Sequence, residues 1–377
     1  MGNDVTSDSC SLSYNITEET TSDWIHTPVD TIITTIIIPI IVTIGIFNNT
    51  TFVFVIFRIP RMRSETNIYL VHLALADLLF LCLSALQYFW LYATSPVFDS
   101  VIFVTSAECV SFFVAINTGY FASIALITMV SFERYLAMCH PLKHLRIRTR
   151  KRTNKIVAIC WSVGLVLSGL AVLRNAKITF VCLQWPDDDM YHEFPLIVAF
   201  CGVVQPWINY LTTPLLNIPW IVALVSNIYM YIKIIQMLHN RTAIGRTSQS
   251  DLTKLRTRNQ VVKMLIVNGV VFFLCQMPYA VLSFTKIICI IAGIPDPIQA
   301  ALGMSGDWIF VIPQLINNSV NPLIYGLISA QYRTAFTQAF QCKKHHRQPQ
   351  SIYTVCTASN RAITTGSLVK NVCKSQV

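Results

Sequence analysis

The chain has 377 residues, of which 54% are hydrophobic and only 12% are charged. A water-soluble domain usually has about 25% charged residues, so this composition excludes an ordinary soluble protein. The net charge is +10. Because the basic residues cluster between apolar runs, we interpret this charge as a membrane orientation signal and not as a nucleic-acid surface.

Seven apolar runs are long enough to cross the roughly 30 Å of hydrocarbon in a bilayer, which takes about 20 helical residues. The runs cover residues 31–57, 68–93, 105–138, 156–173, 209–235, 261–291 and 302–327. An apolar stretch at 194–208 leaves the start of the fifth run open, but Pro206, Pro214 and Pro219 argue against an additional span. The pattern therefore predicts an all-α membrane protein, a seven-transmembrane helix bundle.

Residues 1–30 are polar and acidic, without the basic start and apolar core of a cleavable signal peptide, so we expect the first span to direct insertion. They contain no Lys or Arg, whereas the loops after the first, third and fifth spans are basic. Basic loops stay in the cytoplasm, so the N-terminus is expected outside and the C-terminus inside. Asn15, in Asn15-Ile16-Thr17, is the expected glycan acceptor.

Polar side chains within the spans are costly in lipid and are functional candidates for that reason. They include Asp77 in the second span, Ser123 in the third, and Asn317 and Asn321 in the seventh. Amides and a hydroxyl from several helices would form a hydrated pocket that holds Asp77 ionised together with a small cation. Alternatively, these groups only join the helices, with each hydrogen bond contributing less than about 2 kcal/mol. The residues alone leave both interpretations open.

The third span ends in Glu133-Arg134-Tyr135, directly before a strongly basic loop. An Arg in this place can simply extend its charge towards the membrane surface. A switchable charge contact between Arg134 and a neighbouring acid is an equally good interpretation of the same residues.

In the order of its landmarks the chain resembles the rhodopsin-like, class A G-protein-coupled receptors. These landmarks are Asn49, Leu73-Ala74-Leu75-Ala76-Asp77, Cys109, Glu133-Arg134-Tyr135, Trp161, Cys182, Pro219, Phe272-x-x-Cys275-x-x-Pro278 and Asn321-Pro322-x-x-Tyr325. Cys109 also precedes Arg134 by 25 residues (134 − 109), as in that family. Each motif is unspecific by itself, but the ordered set, over about residues 35–342, is highly specific.

The resemblance implies roles for several residues. Cys109 and Cys182 would form the disulfide that joins the third helix to the second external loop, where Ile178 to Leu183 is expected to form part of a β-hairpin. Arg134, with Leu142 of the second inner loop, would engage a heterotrimeric G protein when helix six moves outward.

The same resemblance assigns Asp77, Ser123, Asn317 and Asn321 to the sodium pocket of the family. An allosteric sodium ion is therefore the expected ligand of these groups, and we expect no other metal or cofactor.

The resemblance also divides the chain and places it in the plasma membrane, in contact with membrane lipids. The parts are an extracellular tail (1–30), the bundle (31–327), a short amphipathic helix eight (328–342) and a disordered cytoplasmic tail (343–377). Cys342 is the expected palmitoylation site. The Ser/Thr-rich tail is expected to be phosphorylated by receptor kinases and to bind arrestin.

Four positions depart from the pattern of the family. Gln276 replaces the usual Trp of helix six, and Asn227 replaces the usual inner Tyr of helix five. Arg258 stands where some members have a Glu that pairs with Arg134, and Gly119 replaces an Asn near the sodium site. Because Gln276 and Arg258 lie on the helix that moves, we predict altered basal activity.

Single positions argue against two ligand classes. Ile116 stands where amine receptors have an Asp, and Leu315 stands where opsins have the Lys that binds retinal. The remaining sequence resembles the thyrotropin-releasing hormone and neuromedin U receptor group, although Val311 replaces an Arg that binds the former hormone. Asn227 and Gln276 are similar to FMRFamide-type receptors. A neuropeptide is therefore the expected ligand, with a lipid or small metabolite as the alternative.

An acidic outer face would attract a basic or amidated peptide, although a solvated acidic loop remains the alternative. Its second-loop residues are Asp187, Asp188, Asp189 and Glu193. From matching positions in relatives, the expected pocket floor consists of Gln87, Tyr88, Ile116, Asn117, Tyr120, Gln276, Tyr279, Ser283, Asp307 and Gln314. Cys10 and Cys289 are candidates for a second external disulfide or for free thiols.

Two other functions compete with the receptor. A transporter or channel could use Asp77 and the buried amides, but the sequence has no inverted repeat or paired broken helices. An enzyme would need a metal or nucleophile constellation, and the eight His residues are scattered, without a His-x-x-x-His or Gly-x-Ser-x-Gly pattern. We therefore predict a receptor without enzymatic activity.

Overall fold

The computed structural model describes residues 10, 12–98, 100–243, 249–302 and 304–341. Six of the helices in these ranges are long and apolar enough to cross a membrane. They are α1 (Pro28–Arg58), α2 (Glu65–Thr94), α3 (Ser106–Cys139), α4 (Arg150–Ala171), α5 (Ile208–Ala243) and α6 (Gln249–Ala292). A short helix (Pro297–Leu302) comes next, followed by α7 (Trp308–Ile328) and α8 (Ala330–Phe340).

α7 is the seventh helix of the bundle, and its interior is unusually polar. Gln314, Asn317, Asn318 and Asn321 are all buried, so these groups face neighbouring helices and not lipid. Pro322 lies within the helix and removes one backbone hydrogen bond, which leaves room for side-chain contacts. The predicted seven-helix fold class is confirmed.

Several helices begin where a Ser or Thr side chain caps the first turn. Thr105 accepts a hydrogen bond from the backbone of Glu108, and the carboxylate of Glu108 accepts from the backbone of Thr105 in return. Thr27 and Asp30 form the same reciprocal cap at the start of α1. Such caps satisfy backbone N–H groups that the first turn leaves open, which explains where these helices start.

Three strands form a small sheet at the end of the bundle where α3 begins. β1 (Leu12–Asn15) pairs in parallel with β2 (Lys177–Gln184), which pairs antiparallel with β3 (Ile197–Gly202). The predicted strand around residues 178–183 is thus present. β3 also explains the ambiguous apolar stretch at 194–208, because residues 197–202 form this strand and α5 begins only at Ile208.

The predicted disulfide between Cys109 and Cys182 is wrong, because the structure joins Cys109 to Cys201 and Cys10 to Cys182. Ile178 donates its backbone N–H to Ser106 Oγ at the start of α3 and pairs with Cys201 across the hairpin. Ile178 is therefore the β2 residue beside the start of α3. Cys182 lies four residues after Ile178 along β2, and a rise of about 3.3 Å per residue places it roughly 13 Å from Ile178. That separation exceeds the usual Cα–Cα distance of a disulfide.

The proposed bridge between Cys10 and Cys289 is also wrong. Cys10 pairs with Cys182, whereas Cys289 is a buried free thiol near the end of α6. We name the two ends of the bundle by their residues: the disulfide end contains Cys109, and the Arg134 end lies opposite, at the last turns of α3.

α8 packs against the bundle at the Arg134 end. The hydroxyl of Tyr332 donates to Asn67 Oδ1 at 2.6 Å, and the rings of Phe52 and Tyr325 lie 5.2 Å apart beside it. Tyr332, Ala335 and Ala339 are buried on one face of the helix, as an amphipathic helix requires. The candidate palmitoylation site Cys342 and the tail beyond it lie outside the described residues.

Candidate functional site

The first functional cluster surrounds Asp77 in the middle of the bundle. Asp77 is fully buried and accepts hydrogen bonds from Ser123 Oγ at 3.3 Å and from Asn321 Nδ2 at 2.7 Å. Three helices therefore meet at one carboxylate. In the part of the chain that the structure describes, the Oδ1 atoms of Asn317 and Asn321 are buried and accept no hydrogen bond. Buried carbonyl oxygens without a donor are costly, and a cation would satisfy them.

α1 and α7 approach each other closely beside this cluster. Asn49 Nδ2 donates to the backbone carbonyl of Asn318 at 2.8 Å and to that of Gly45 at 2.9 Å. A Cβ at Gly45 would collide with the side chain of Ser319. Helix-joining contacts therefore exist both here, through Asn49 and Gly45, and at Asp77, which accepts hydrogen bonds from α3 and α7.

Gln276 lies on α6 and contacts α7 directly. Its Oε1 atom accepts a hydrogen bond from Gln314 Nε2 at 3.2 Å, and both side chains are buried. Gln314 lies one turn before Asn318, whose Nδ2 donates to the Gln314 backbone carbonyl at 2.7 Å. An amide pair therefore joins α6 to α7 where the family usually has a Trp.

Asn227, the second unusual residue, joins α5 to α3. Its Nδ2 atom donates to Thr128 Oγ1 at 3.1 Å and to the backbone carbonyl of Ala223 at 2.8 Å. Asn227 thereby holds the two helices together by a polar contact deep in the bundle, where it is fully buried. The side chain of Arg258, another position that departs from the pattern of the family, lies outside the described residues.

An aromatic wall lines the bundle between α3, α6 and α7. The rings of Tyr120 and Tyr279 lie 6.4 Å apart, and the rings of Tyr279 and Phe310 lie 5.4 Å apart. Ser283 is buried one turn after Tyr279. Of the predicted pocket residues, the structure thus brings together Tyr120 with Tyr279 and Gln276 with Gln314.

Other predicted pocket residues have different surroundings. Gln87 lines a separate apolar cavity between α2 and α3, and Tyr88 packs against Trp308 with 5.3 Å between the rings. Asn117 donates to the carbonyl of Phe113 in its own helix at 2.8 Å, and Ile116 is half-buried.

Asp307 lies just before α7 and keeps an exposed surface. Desolvation by the surrounding chain raises the pKa of its carboxyl above the ordinary value, while the positive charges of Lys286 and Arg174 oppose that shift. Asp307 is thus one of several charged groups near the mouth of the bundle and is not part of the aromatic wall.

At the Arg134 end, the acid beside Arg134 contacts other elements. Glu133 accepts a hydrogen bond from Arg152 of α4 at 2.6 Å and lies 3.4 Å from His144. His144 belongs to a short helix, Pro141–Ile147, which also contains Leu142. The Leu142 side chain is 76% exposed. An exposed leucine beside the last turns of α3 is available to a protein partner.

Two contacts were missed by the sequence reasoning. Trp308 Nε1 donates to Asp30 Oδ1 at 2.7 Å and so joins the start of α7 to the start of α1. The hydroxyls of Tyr231 and Ser131 form a hydrogen bond of 2.8 Å between α5 and α3. Asp30 is one of several acids in its segment, and nothing in the sequence marks it as buried.

The helix bundle, the disulfide at the start of α3 and the polar cluster around Asp77 together define a seven-helix membrane receptor. The family model described as 7 transmembrane receptor (rhodopsin family) matches residues 48–325, which is most of the chain. The chain therefore belongs to this family of multi-pass membrane receptors, as its ordered landmarks indicate.

Known receptors are similar to the chain over most of their length. The thyrotropin-releasing hormone receptor of Homo sapiens is 27% identical over 360 residues, which are 86% of this chain and 82% of that receptor. The neuromedin U receptor homolog nmur-2 of Caenorhabditis elegans is 26% identical and covers 94% of this chain and 93% of its own length. The type-1 angiotensin II receptor B of Xenopus laevis is 25% identical, with coverages of 80% and 77%.

Proposed function

We propose that this chain is a neuropeptide receptor that binds its ligand at the disulfide end and activates heterotrimeric G proteins at the Arg134 end. By their names, two of the relatives named above are receptors for thyrotropin-releasing hormone and angiotensin II, and the third is a homolog of a neuromedin U receptor. The observation that carries the proposal is the pairing of β1 with β2, because it builds a single acidic surface from two distant parts of the chain.

The acidic surface follows from the register of the two strands. Asn15 pairs with Gln184, and Ile16 donates its N–H to the carbonyl of Gln184 at 2.8 Å. The residues after β1 therefore start beside the residues after β2. Both segments expose several carboxylates, which are Glu18, Glu19, Asp23, Asp187, Asp188, Asp189 and Glu193. The negative electrostatic potential of these carboxylates speeds the association of a basic or amidated peptide.

The bundle interior below this surface suits the other end of a peptide. The aromatic wall of Tyr120, Tyr279 and Phe310 offers ring faces and edges to an apolar or aromatic side chain. The buried pair of Gln276 and Gln314 has further donors and acceptors that can bind a peptide carboxamide. Because Gln276 lies on α6, a ligand that binds to this polar pair would contact α6 directly and could change its position.

Signal transfer to the G protein is proposed for the Arg134 end. Leu142 is exposed there, and Arg134 lies in the last turns of α3. Pro278 interrupts the backbone hydrogen bonds of α6 two residues after Gln276, which provides a hinge for outward movement of the helix. We expect Arg134 and Leu142 to contact the G protein once α6 has moved.

The basic loops after α1, α3 and α5 support an extracellular disulfide end and a cytoplasmic Arg134 end in the plasma membrane. Asn15, exposed at the end of β1, is then available to glycosylation. On the cytoplasmic side we propose phosphorylation by receptor kinases, arrestin binding and palmitoylation at Cys342.

A sodium ion is the proposed allosteric ligand of the Asp77 group. The donor set combines a buried carboxylate with the Ser123 hydroxyl and two amide oxygens that accept no hydrogen bond among the described residues. Hard oxygen ligands of this type fit a small alkali cation. Asp77 and Ser123 would hold the ion from α2 and α3, and Asn317 and Asn321 from α7.

Neutralising the acidic charge of the ligand surface tests the peptide proposal. Replacing Asp187, Asp188 and Asp189 together by Asn should slow the association of a basic peptide by about tenfold at low ionic strength, with little change in dissociation. The difference should shrink at high salt, because exposed charges are screened. Equal association rates at every salt concentration would mean that the acids are only a solvated loop.

A second experiment tests the receptor mechanism against an ion-conducting protein. Purified chain in lipid nanodiscs should increase nucleotide exchange on a heterotrimeric G protein when peptide is added, and Arg134→Ala should abolish the increase. A ligand-independent current across a bilayer that contains the purified chain, without nucleotide exchange, would favour the ion-conducting alternative.

A further inference from the structure

An apolar cavity separates the outer halves of α2 and α3 near the disulfide end. It encloses about 240 Å³ between Leu86, Trp90 and Leu91 of α2, the segment 101–103, and Phe112 and Phe113 of α3. Gln87 is the one polar side chain among its lining residues. Tyr120, Tyr279 and the amide pair of the proposed ligand pocket are not part of this lining, so the cavity is a different site.

The mouth of the cavity lies on the lipid-facing surface. Leu86, Trp90 and Ile102 line it and are 50%, 47% and 48% exposed. Leu86 and Trp90 belong to one outward stripe of α2 that also exposes Phe89, since residues three and four apart share a helix face. In a membrane receptor this stripe contacts the hydrocarbon of the bilayer, so the cavity opens towards the surrounding lipid.

The depth of the mouth also favours a lipid. Trp90 is four residues from the end of α2 at Thr94, which corresponds to about 6 Å along the helix axis. Trp side chains are enriched at the boundary between hydrocarbon and headgroups. A chain that enters beside Trp90 can therefore keep its headgroup at the membrane surface while its hydrocarbon fills the cavity.

We infer that this cavity binds the hydrocarbon chain of a phospholipid from the adjacent leaflet. An apolar cavity of about 150 Å³ stays dry and takes up benzene, so 240 Å³ accommodates a segment of an acyl chain. The lining is free of charged side chains, which excludes an ionic ligand within the cavity. Filling the void restores van der Waals contacts that the lining residues otherwise lack.

The site is connected to the ligand-binding sheet through its wall. Val101 lines the cavity and donates its backbone N–H to the carbonyl of Ala199 in β3 at 2.7 Å. Phe103 packs on Phe112, with 5.5 Å between the rings. An occupant therefore supports the segment that holds β3, the strand bridged to α3 through Cys201. This consequence for ligand affinity rests on the proposed receptor function, whereas lipid binding itself does not.

The test uses the full chain in phosphatidylcholine nanodiscs that contain a phosphatidylcholine with a photoreactive diazirine in its acyl chain. After illumination, we expect adducts on the peptide with Phe112 and Phe113, mapped by mass spectrometry. Val101→Trp, which fills the cavity, should remove most of these adducts. Val104→Trp is the matched control, because Val104 is exposed, lies three residues away and is not among the lining residues.

If Val101→Trp does not fold, Ile102→Trp blocks the half-exposed mouth instead and should give the same loss. Absence of adducts on the Phe112–Phe113 peptide in the unaltered chain would overturn the inference. So would adducts that persist in both blocking variants. Labelling by a diazirine-bearing free fatty acid but not by the phosphatidylcholine would contradict the phospholipid source. Because the readout needs no ligand or G protein, its failure is distinct from failure of the proposed receptor function.

Discussion

The hydroxyl of Tyr231 on α5 occupies the space that a side chain at Gly269 on α6 would need. A Cβ added at position 269 would collide with the oxygen and ring atoms of Tyr231. Tyr231 also hydrogen-bonds Ser131 on α3 at 2.8 Å, so three helices meet at one buried phenol. In this receptor, Tyr231 provides a buried polar contact between α3 and α5, one turn after Asn227. Its ring also packs against Gly269 of α6, the helix that is proposed to move.

Gly269→Ala should therefore destabilise the bundle. The added methyl group overpacks a filled site, which typically costs about 1–3 kcal/mol, and it should lower the unfolding temperature of the purified receptor. Tyr231→Phe removes the nearest clashing atom, so Gly269→Ala should cost less in that background. Gly169→Ala is the matched control, because nothing lies within 4 Å of a Cβ at Gly169. Equal losses at Gly169 and Gly269 would contradict the packing found here.

The two disulfides predict which cysteine variants behave alike. Non-reducing peptide mapping should find Cys109 joined to Cys201 and Cys10 joined to Cys182. Cys109→Ser and Cys201→Ser should then have equal effects, each costing about 2–5 kcal/mol, and adding the second change should cost little more. Cys289→Ser leaves both bridges intact and is the control. A peptide that joins Cys109 to Cys182 would show the originally expected pairing instead.

The sodium site predicts a stabilisation that depends on Asp77. Raising sodium at constant ionic strength, with choline as the replacement, should increase the unfolding temperature. At a hundredfold excess over Kd a single bound ligand contributes about 2.7 kcal/mol. Asp77→Asn should abolish the response, and Glu108→Gln, which alters an exposed cap of α3, should leave it intact. If sodium and choline stabilise the unaltered receptor equally, the polar cluster only joins helices.

Stability at the disulfide end should depend on pH through His26. Its ring packs 5.0 Å from Tyr92 and 5.4 Å from Phe98, and burial lowers the pKa of His26 below the ordinary 6.5, despite the opposing charge of Asp30. Well above pH 6.5 the residue is neutral in both folded and unfolded states. As the pH falls below that value, the unfolded state binds more protons, so the free energy of unfolding should decrease.

The measurement is the unfolding temperature of the purified receptor as a function of pH. In His26→Phe the unfolding temperature should decrease less below pH 6.5 than in the unaltered receptor. In His192→Phe, at an exposed loop position, it should decrease as in the unaltered receptor. A decrease of unchanged size in His26→Phe would assign the pH dependence to other groups.

Basal signalling should be raised, because Gln276 stands where the family usually has a Trp and Arg258 stands where some members have a Glu that pairs with Arg134. The hydrogen bond between Gln276 and Gln314 is a weaker constraint on α6 than a packed aromatic side chain. Cells that express the receptor should show more ligand-free signalling than cells with an empty vector, and Arg134→Ala should return it to the vector level. Equal signalling in both cell lines would show this prediction to be wrong.

The seven helices could be predicted from the sequence because lipid imposes long apolar runs, which are visible locally. The ends of the helices were harder to predict. α4 begins at Arg150 and not at residue 156, because Thr149 caps the helix within the basic segment. The sheet was only partly predictable. Pairing between Leu12–Asn15 and β2 joins residues about 170 positions apart, as the Cys10–Cys182 separation of 172 shows, and no local pattern marks such a partner.

The disulfide error has the same origin. The resemblance implied Cys182 as the loop partner of Cys109, whereas the true partner, Cys201, lies in the apolar stretch 194–208 that leads into the fifth predicted span. The contact around Asp77 was predictable because buried charge in a span is costly and therefore informative. The hydrogen bond between Gln276 and Gln314 could not be predicted, because a buried glutamine can bond to a partner on any neighbouring helix.

The central claim is that a peptide at the disulfide end activates a G protein through this bundle. The most direct measurement is a neuropeptide library applied to receptor-expressing cells with both calcium and cyclic-AMP reporters, with Arg134→Ala cells in parallel. We predict that at least one basic or amidated peptide gives a saturable response in the unaltered receptor and none in Arg134→Ala. Silence from every peptide, together with a response to a lipid or small metabolite, would contradict the claim.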